Sequence, residues 1–207
     1  MYRAGAGISI ANGATVTFKN GTMNSTKASG GTEMFAVNGT LKIENGTIHS
    51  NCDDNTIQVG TTGSIIMTGG TVRNSTTVKE DCHAILLSGG KFTMSGGTVL
   101  KSAGPAGSKS EEAIDGKANT TITITGGTVQ NSITGCRTII SYATVTINGA
   151  GVQIIGNSTG TDHATVRVLT NTAKFTFTKG TIKNNNSSGY SYYNNYARTG
   201  HRGTWTK

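Results

Sequence analysis

The feature that most constrains this chain is a recurring Gly-Thr pair followed by an apolar residue. It stands at Gly21-Thr22-Met23, Gly46-Thr47-Ile48, Gly70-Thr71-Val72, Gly97-Thr98-Val99, Gly127-Thr128-Val129 and Gly180-Thr181-Ile182, with a degenerate copy at Ala150-Gly151-Val152. Aligned on this anchor, three columns are apolar in every copy. Five residues before it stand Val16, Leu41, Ile65, Phe92, Ile122, Val145 and Phe175. Three before stand Phe18, Ile43, Met67, Met94, Ile124, Ile147 and Phe177, and two after stand Met23, Ile48, Val72, Val99, Val129, Val152 and Ile182. The residues between the first two columns are mostly Thr and Lys, so apolar and polar positions alternate as in a strand with one buried face.

A third apolar segment closes each repeat: Phe35/Val37, Ile57/Val59, Ile85/Leu87, Ile114, Ile139 and Val166/Val168, with Ile8/Ile10 as its leading copy. A unit of three short strands cannot bury its own apolar face, but stacked copies bury it in continuous ladders of like residues. The expected fold is therefore all-β, a single-stranded parallel β-helix of about seven coils of 23–30 residues. At the inter-strand spacing such a rod is about 34 Å long. A β-sandwich is the alternative, but it needs hairpin turns and no repeating register. The solenoid is expected over residues 1–182. Residues 183–207, rich in Asn and Tyr and free of acids, form a basic tail that either caps the stack or is disordered.

Composition agrees with strands. Thr supplies 36 residues and Gly 30, while Pro occurs once. Thr, Val and Ile suit a pleated surface. Collagen is excluded because Gly keeps no three-residue period, and no apolar run is long enough to span a membrane as a helix. The net charge of +8 is uneven: nine acids balance nine Lys and Arg up to Asp115, and beyond it only Asp162 opposes nine cations. Such a balance suits solubility, or an anionic partner; a nucleic acid is not the expected one. Three cysteines are too few for a disulfide scaffold. Cys52 and Cys82 fall in one corner of successive coils, close enough for a bond, whereas Cys136 is expected to be unpaired. The N-terminal residues lack the apolar stretch of a signal peptide, and the chain reads as a fragment of a larger protein.

The segments GKFTMSGGTV at 90–99 and TITITGGTV at 121–129 resemble the FTMSGGTISGN repeats of adhesin-like bacterial surface proteins, which are similar to the pectate-lyase-like β-helix superfamily. The resemblance covers about residues 8–185. It implies right-handed coiling, secretion and an extracellular or cell-surface location. It implies no catalytic site, because the motif encodes strand, corner, strand.

Acids gather before the third strand of each coil: Glu33, Asp53-Asp54, Glu80-Asp81, Glu111-Glu112 and Asp162. Stacking places them along one corner of the rod. A solvated corner that keeps the rod soluble is the first reading. If the chain is an enzyme, a polysaccharide lyase or hydrolase, then Asp53, Asp54, Asp81 and Glu111 are its acid–base candidates. The one cofactor such a corner suggests is Ca²⁺, held by Asp54, Glu80, Asp81 and Glu111; a mixed Cys52, Asp54, Asp81, Cys82 and His83 cluster matches no zinc spacing. In the tail, Tyr190, Tyr192, Tyr193, Arg198 and Trp205 are the binding candidates, since aromatic rings stack on sugars and Arg pairs with acids.

The sequence thus leads to a non-catalytic, adhesin-like repeat module that binds a glycan or a partner surface. A polysaccharide-cleaving enzyme using the acidic corner and a structural rod of a fibre or phage appendage are the alternatives.

Overall fold

The computed structural model of the chain describes residues 7–25 and 33–207. Residues 1–6, which bear on the question of a leader, lie outside the described residues. The chain is a parallel β-solenoid of about seven turns, with one 3₁₀ turn among the described residues, Thr161–His163. Each of the first five coils contributes three short strands. In the third coil they are Ile57–Val59, Ser64–Met67 and Thr71–Asn74; in the sixth and seventh the last two run together as Thr144–Gly156 and Phe175–Asn184.

The apolar columns are the ladders. One sheet (sheet A) pairs Ile8, Phe35, Ile57, Ile85, Ile114, Ile139 and Val166 in register. The first column of the second sheet (sheet B) runs Val16, Leu41, Ile65, Phe92, Ile122, Val145 and Phe175. From the second coil to the sixth these residues are fully buried. One register differs from the sequence alignment. Val129 pairs with Ile154, not Val152. The sixth coil carries two extra residues at its corner, within the continuous strand Thr144–Gly156. Val152 and Ile154 share the inward parity of a strand and both are buried, which is why the sequence alone could not choose between them.

The corner glycine of each anchor has positive φ, 87° at Gly97. A Cβ there would lie 2.6 Å from the Gly70 carbonyl oxygen one coil below. The corner thus requires glycine twice over, for its backbone angle and for close stacking.

Inside the next corner runs a polar column, Ser25, Ser50, Asn74, Lys101 and Asn131 in register. These side chains satisfy the turn backbone that no ladder can reach. Asn131 donates to the Glu111 and Arg137 carbonyls and accepts the Ile133 N–H at 2.9 Å. Lys101 is the one ionisable member. It is fully buried, with Nζ 2.8 Å from Asn74 Oδ1, 2.5 Å from the Cys82 carbonyl and 2.5 Å from Glu111 Oε2.

The tail continues the architecture. Tyr190–Asn194 adds a parallel strand beyond Val166–Val168. Thr199–Arg202 then turns back antiparallel on it, and Thr204–Thr206 pairs antiparallel with Phe175–Asn184. Tyr192 stacks on Phe175 at 4.3 Å and Trp205 packs edge-on against Phe177 at 4.7 Å, so aromatic rings cover the last coil.

Candidate functional site

The outward residues of sheet A form their own column: Leu86, Asp115, Ile140, Arg167 and Tyr193 in register. Most such positions in a solenoid are solvated, but Asp115 is only 4% exposed. Chain on either side of the strand covers it. His83 comes from the segment leading into the fourth coil, Glu112 from the segment leading into the fifth, and Lys117 from just after the strand Ile114–Gly116. Beside them opens a trough of about 390 Å³ lined by Asp81, Glu112, Arg137, Ile140, Tyr142 and Arg167, among others.

His83 lies between two carboxylates. Nδ1 is 3.2 Å from Glu112 Oε2 and Nε2 is 3.4 Å from Asp115 Oδ2. Nδ1 also accepts the Glu112 backbone N–H at 3.3 Å, which places the imidazole proton on Nε2, facing Asp115. Burial pushes the imidazole down to about 3, with Lys101 and Lys117 acting in the same direction, so the ring is neutral. Burial pushes Glu112 up to about 7 although Arg137 draws it back. Asp115 is raised for the same reason, against the pull of Lys117. The acids of the cluster have basic partners: Arg137 Nη1 bonds Glu112 Oε1, and Lys117 Nζ reaches Asp115 Oδ2 at 2.5 Å.

One donor atom from each of His83, Glu112 and Asp115 lies within 4.8 Å of the others, close enough to hold a metal ion among the described residues. None of the four residues read from the sequence as Ca²⁺ ligands belongs to this group. Asp54 Oδ1 accepts the Asn55 backbone N–H at 2.7 Å. Glu80 and Asp81 are exposed, and Asp81 is the member that lines the trough. Glu111 is fully buried against Lys101. Asp53 is half-buried beside Asp54. The acids therefore share a corner in sequence order without converging on one point.

The tail residues are placed with equal clarity. Tyr192 and Trp205 pack on the last coil, and Trp205 also stacks on His201 at 5.3 Å. Tyr190 meets Tyr193 edge-on and holds the Arg202 guanidinium over its ring at 4.2 Å. Arg198 is exposed at a turn of positive φ. Cys52, Cys82 and Cys136 are buried free thiols.

Asp115, Lys117, Arg137, Tyr142 and Arg167 were not candidates on sequence grounds. The signal for two of them was available in the register: Asp115 and Arg167 sit between inward residues of the third segment, so both had to face outward on the same sheet.

Comparison with protein-family models, curated proteins and solved structures finds no match. No helix of the described residues is long and apolar enough to cross a membrane.

Proposed function

We propose that the chain is a non-catalytic, adhesin-like solenoid module that binds a glycan in the trough on the outer face of sheet A. The observation that carries this reading is the pairing of the acids there. Glu112 is held by Arg137 and Asp115 by Lys117, so both acids fix the basic side chains that line the trough. What the trough offers is a contact surface. Tyr142 stands at its rim, 36% exposed, with the buried Ile140 and the half-buried Leu169 beneath a mostly polar lining. Arg137 and Arg167 supply fixed donors, Arg167 being braced by Asp162 and Asn195 at 2.9 and 3.0 Å. An aromatic ring beside rigid polar groups is the usual means of holding a sugar ring and its hydroxyls. The resemblance to adhesin-like β-helix repeats supports an extracellular, surface-attached setting.

The test is titration of the chain against a panel of oligosaccharides by calorimetry, with product analysis on the same samples. The reading expects binding without cleavage, weakened about tenfold by Tyr142→Ala, a loss of about 1.4 kcal/mol. Binding indifferent to Tyr142 and Arg167 would remove the trough from consideration. The enzymatic reading draws on a different observation, the burial that holds Glu112 near neutrality, as a general acid requires. It predicts released oligosaccharide that disappears in Glu112→Gln.

A further inference from the structure

We propose that Lys101 and Asn74 are joined by an intramolecular isopeptide bond, which the chain forms by itself with Glu111 as the proton carrier. Three features converge on it. First, Lys101, Asn74 and Glu111 are all fully buried, so the amine meets the amide away from water and its competing protons. Second, the groups are in contact before any reaction: Lys101 Nζ is 2.8 Å from Asn74 Oδ1 and 2.5 Å from Glu111 Oε2. Lys101 and Asn74 are paired partners in adjacent strands, so the fold holds the reactants together and the encounter costs no further entropy. Third, the amide is fixed and polarised. Asn74 Oδ1 also accepts the Thr76 N–H at 3.2 Å, and Nδ2 donates to the Asp54 carbonyl at 3.0 Å. Ser108 Oγ donates to Glu111 Oε1 at 3.1 Å and fixes the acid in turn.

The chemistry is self-contained. The Lys101 ammonium passes one proton to the Glu111 carboxylate, leaving a neutral amine beside a neutral acid. The Nζ lone pair attacks Asn74 Cγ and a C–N bond forms. Glu111 gives its proton to the departing amide nitrogen and takes one from Nζ. The old Cγ–Nδ2 bond breaks, one ammonia leaves, and no oxidant or other reactant is consumed. A buried ion pair, costly to keep from water, is thereby replaced by uncharged groups. The product amide keeps one N–H for the Cys82 carbonyl and its oxygen still faces the Thr76 N–H. The bonds given up are that of Asn74 Nδ2 to Asp54 and those of Lys101 Nζ to Asn74 Oδ1 and Glu111.

Mass spectrometry of the denatured chain decides it. The expected mass is that of the sequence less one ammonia, and a tryptic digest should contain one branched peptide carrying both Asn74 and Lys101, uncut after Lys101. Lys101→Arg and Glu111→Gln should each restore the full mass. The full mass in the wild-type chain overturns the proposal without recourse to any variant. So does a loss of ammonia that persists in Lys101→Arg, because ring closure at an Asn-Gly step such as Asn45-Gly46 expels the same molecule.

Discussion

At the scale of single residues, His83 and Glu112 have opposite preferences that conceal each other. Glu112 rises from 4.5 to about 7 on folding. Between those values the folded chain keeps a proton the unfolded chain has lost, so this group alone makes stability fall as pH rises. His83 falls from 6.5 to about 3. Between those values the unfolded chain binds a proton the folded chain refuses, so this group alone makes stability rise with pH. From pH 4.5 to 6.5 the two slopes, each at most about 1.4 kcal/mol per pH unit, cancel. Glu112→Gln should therefore expose a rising stability and His83→Gln a falling one across that window, read from urea denaturation at several pH values. Two flat profiles would contradict the assignment. None of this was legible in the sequence. Glu112 was visible as one acid of a corner series, but its burial depends on Arg137 and His83 arriving from other coils, at separations no local pattern records. Lys101 was hidden for a similar reason: its position in the inward polar column reads as an ordinary exposed lysine until Glu111, ten residues on, folds back to meet it.

At the scale of the element, the unit is strand, glycine corner, strand, and two glycines separate what the corner needs. Gly97 and Gly13 both have positive φ, 87° and 80°. A Cβ at Gly97 meets the backbone of the coil below, whereas at Gly13 nothing lies within 4 Å. Gly13→Ala should thus cost about 1–2 kcal/mol for its backbone angle alone. Gly97→Ala adds overlap with neighbouring backbone and should cost about 2–5 kcal/mol. Thermal unfolding of the two variants side by side checks this, and equal losses would show that stacking at the corner does not matter. These elements were the most legible part of the chain. Alternation at Leu41-Lys42-Ile43 or Phe92-Thr93-Met94 fixes which face is buried, and the anchor repeats fix which residues stack. The exception is the sixth coil, where Asn148-Gly149-Ala150-Gly151 offers two equally good corners and only the neighbouring ladders select Ile154.

At the scale of the whole molecule, each coil touches mainly the coils above and below, so stability is distributed along the axis. The last coil has a neighbour on one side only, and the folded-back tail replaces the missing one. Trp205 contacts Phe175, Phe177, Tyr192 and His201. Trp205→Ala should cost about 2–3 kcal/mol, felt locally. Amide exchange should quicken in Phe175–Asn184 and stay unchanged in Ser64–Met67, and uniform quickening would mean that the rod opens as one unit. The tail was hard to read because it holds no Leu, Ile or Val, and aromatic packing leaves no periodic trace in a sequence. Stacking coils in chain order has one more effect. In most folds a charge difference between two halves of a sequence is scrambled by topology. Here sequence position is height along the axis, so the neutral first part and the strongly basic second part give the rod a lengthwise electric dipole. Near an anionic surface such a rod experiences a torque that turns its C-terminal coils inward, orienting it before any specific contact is made.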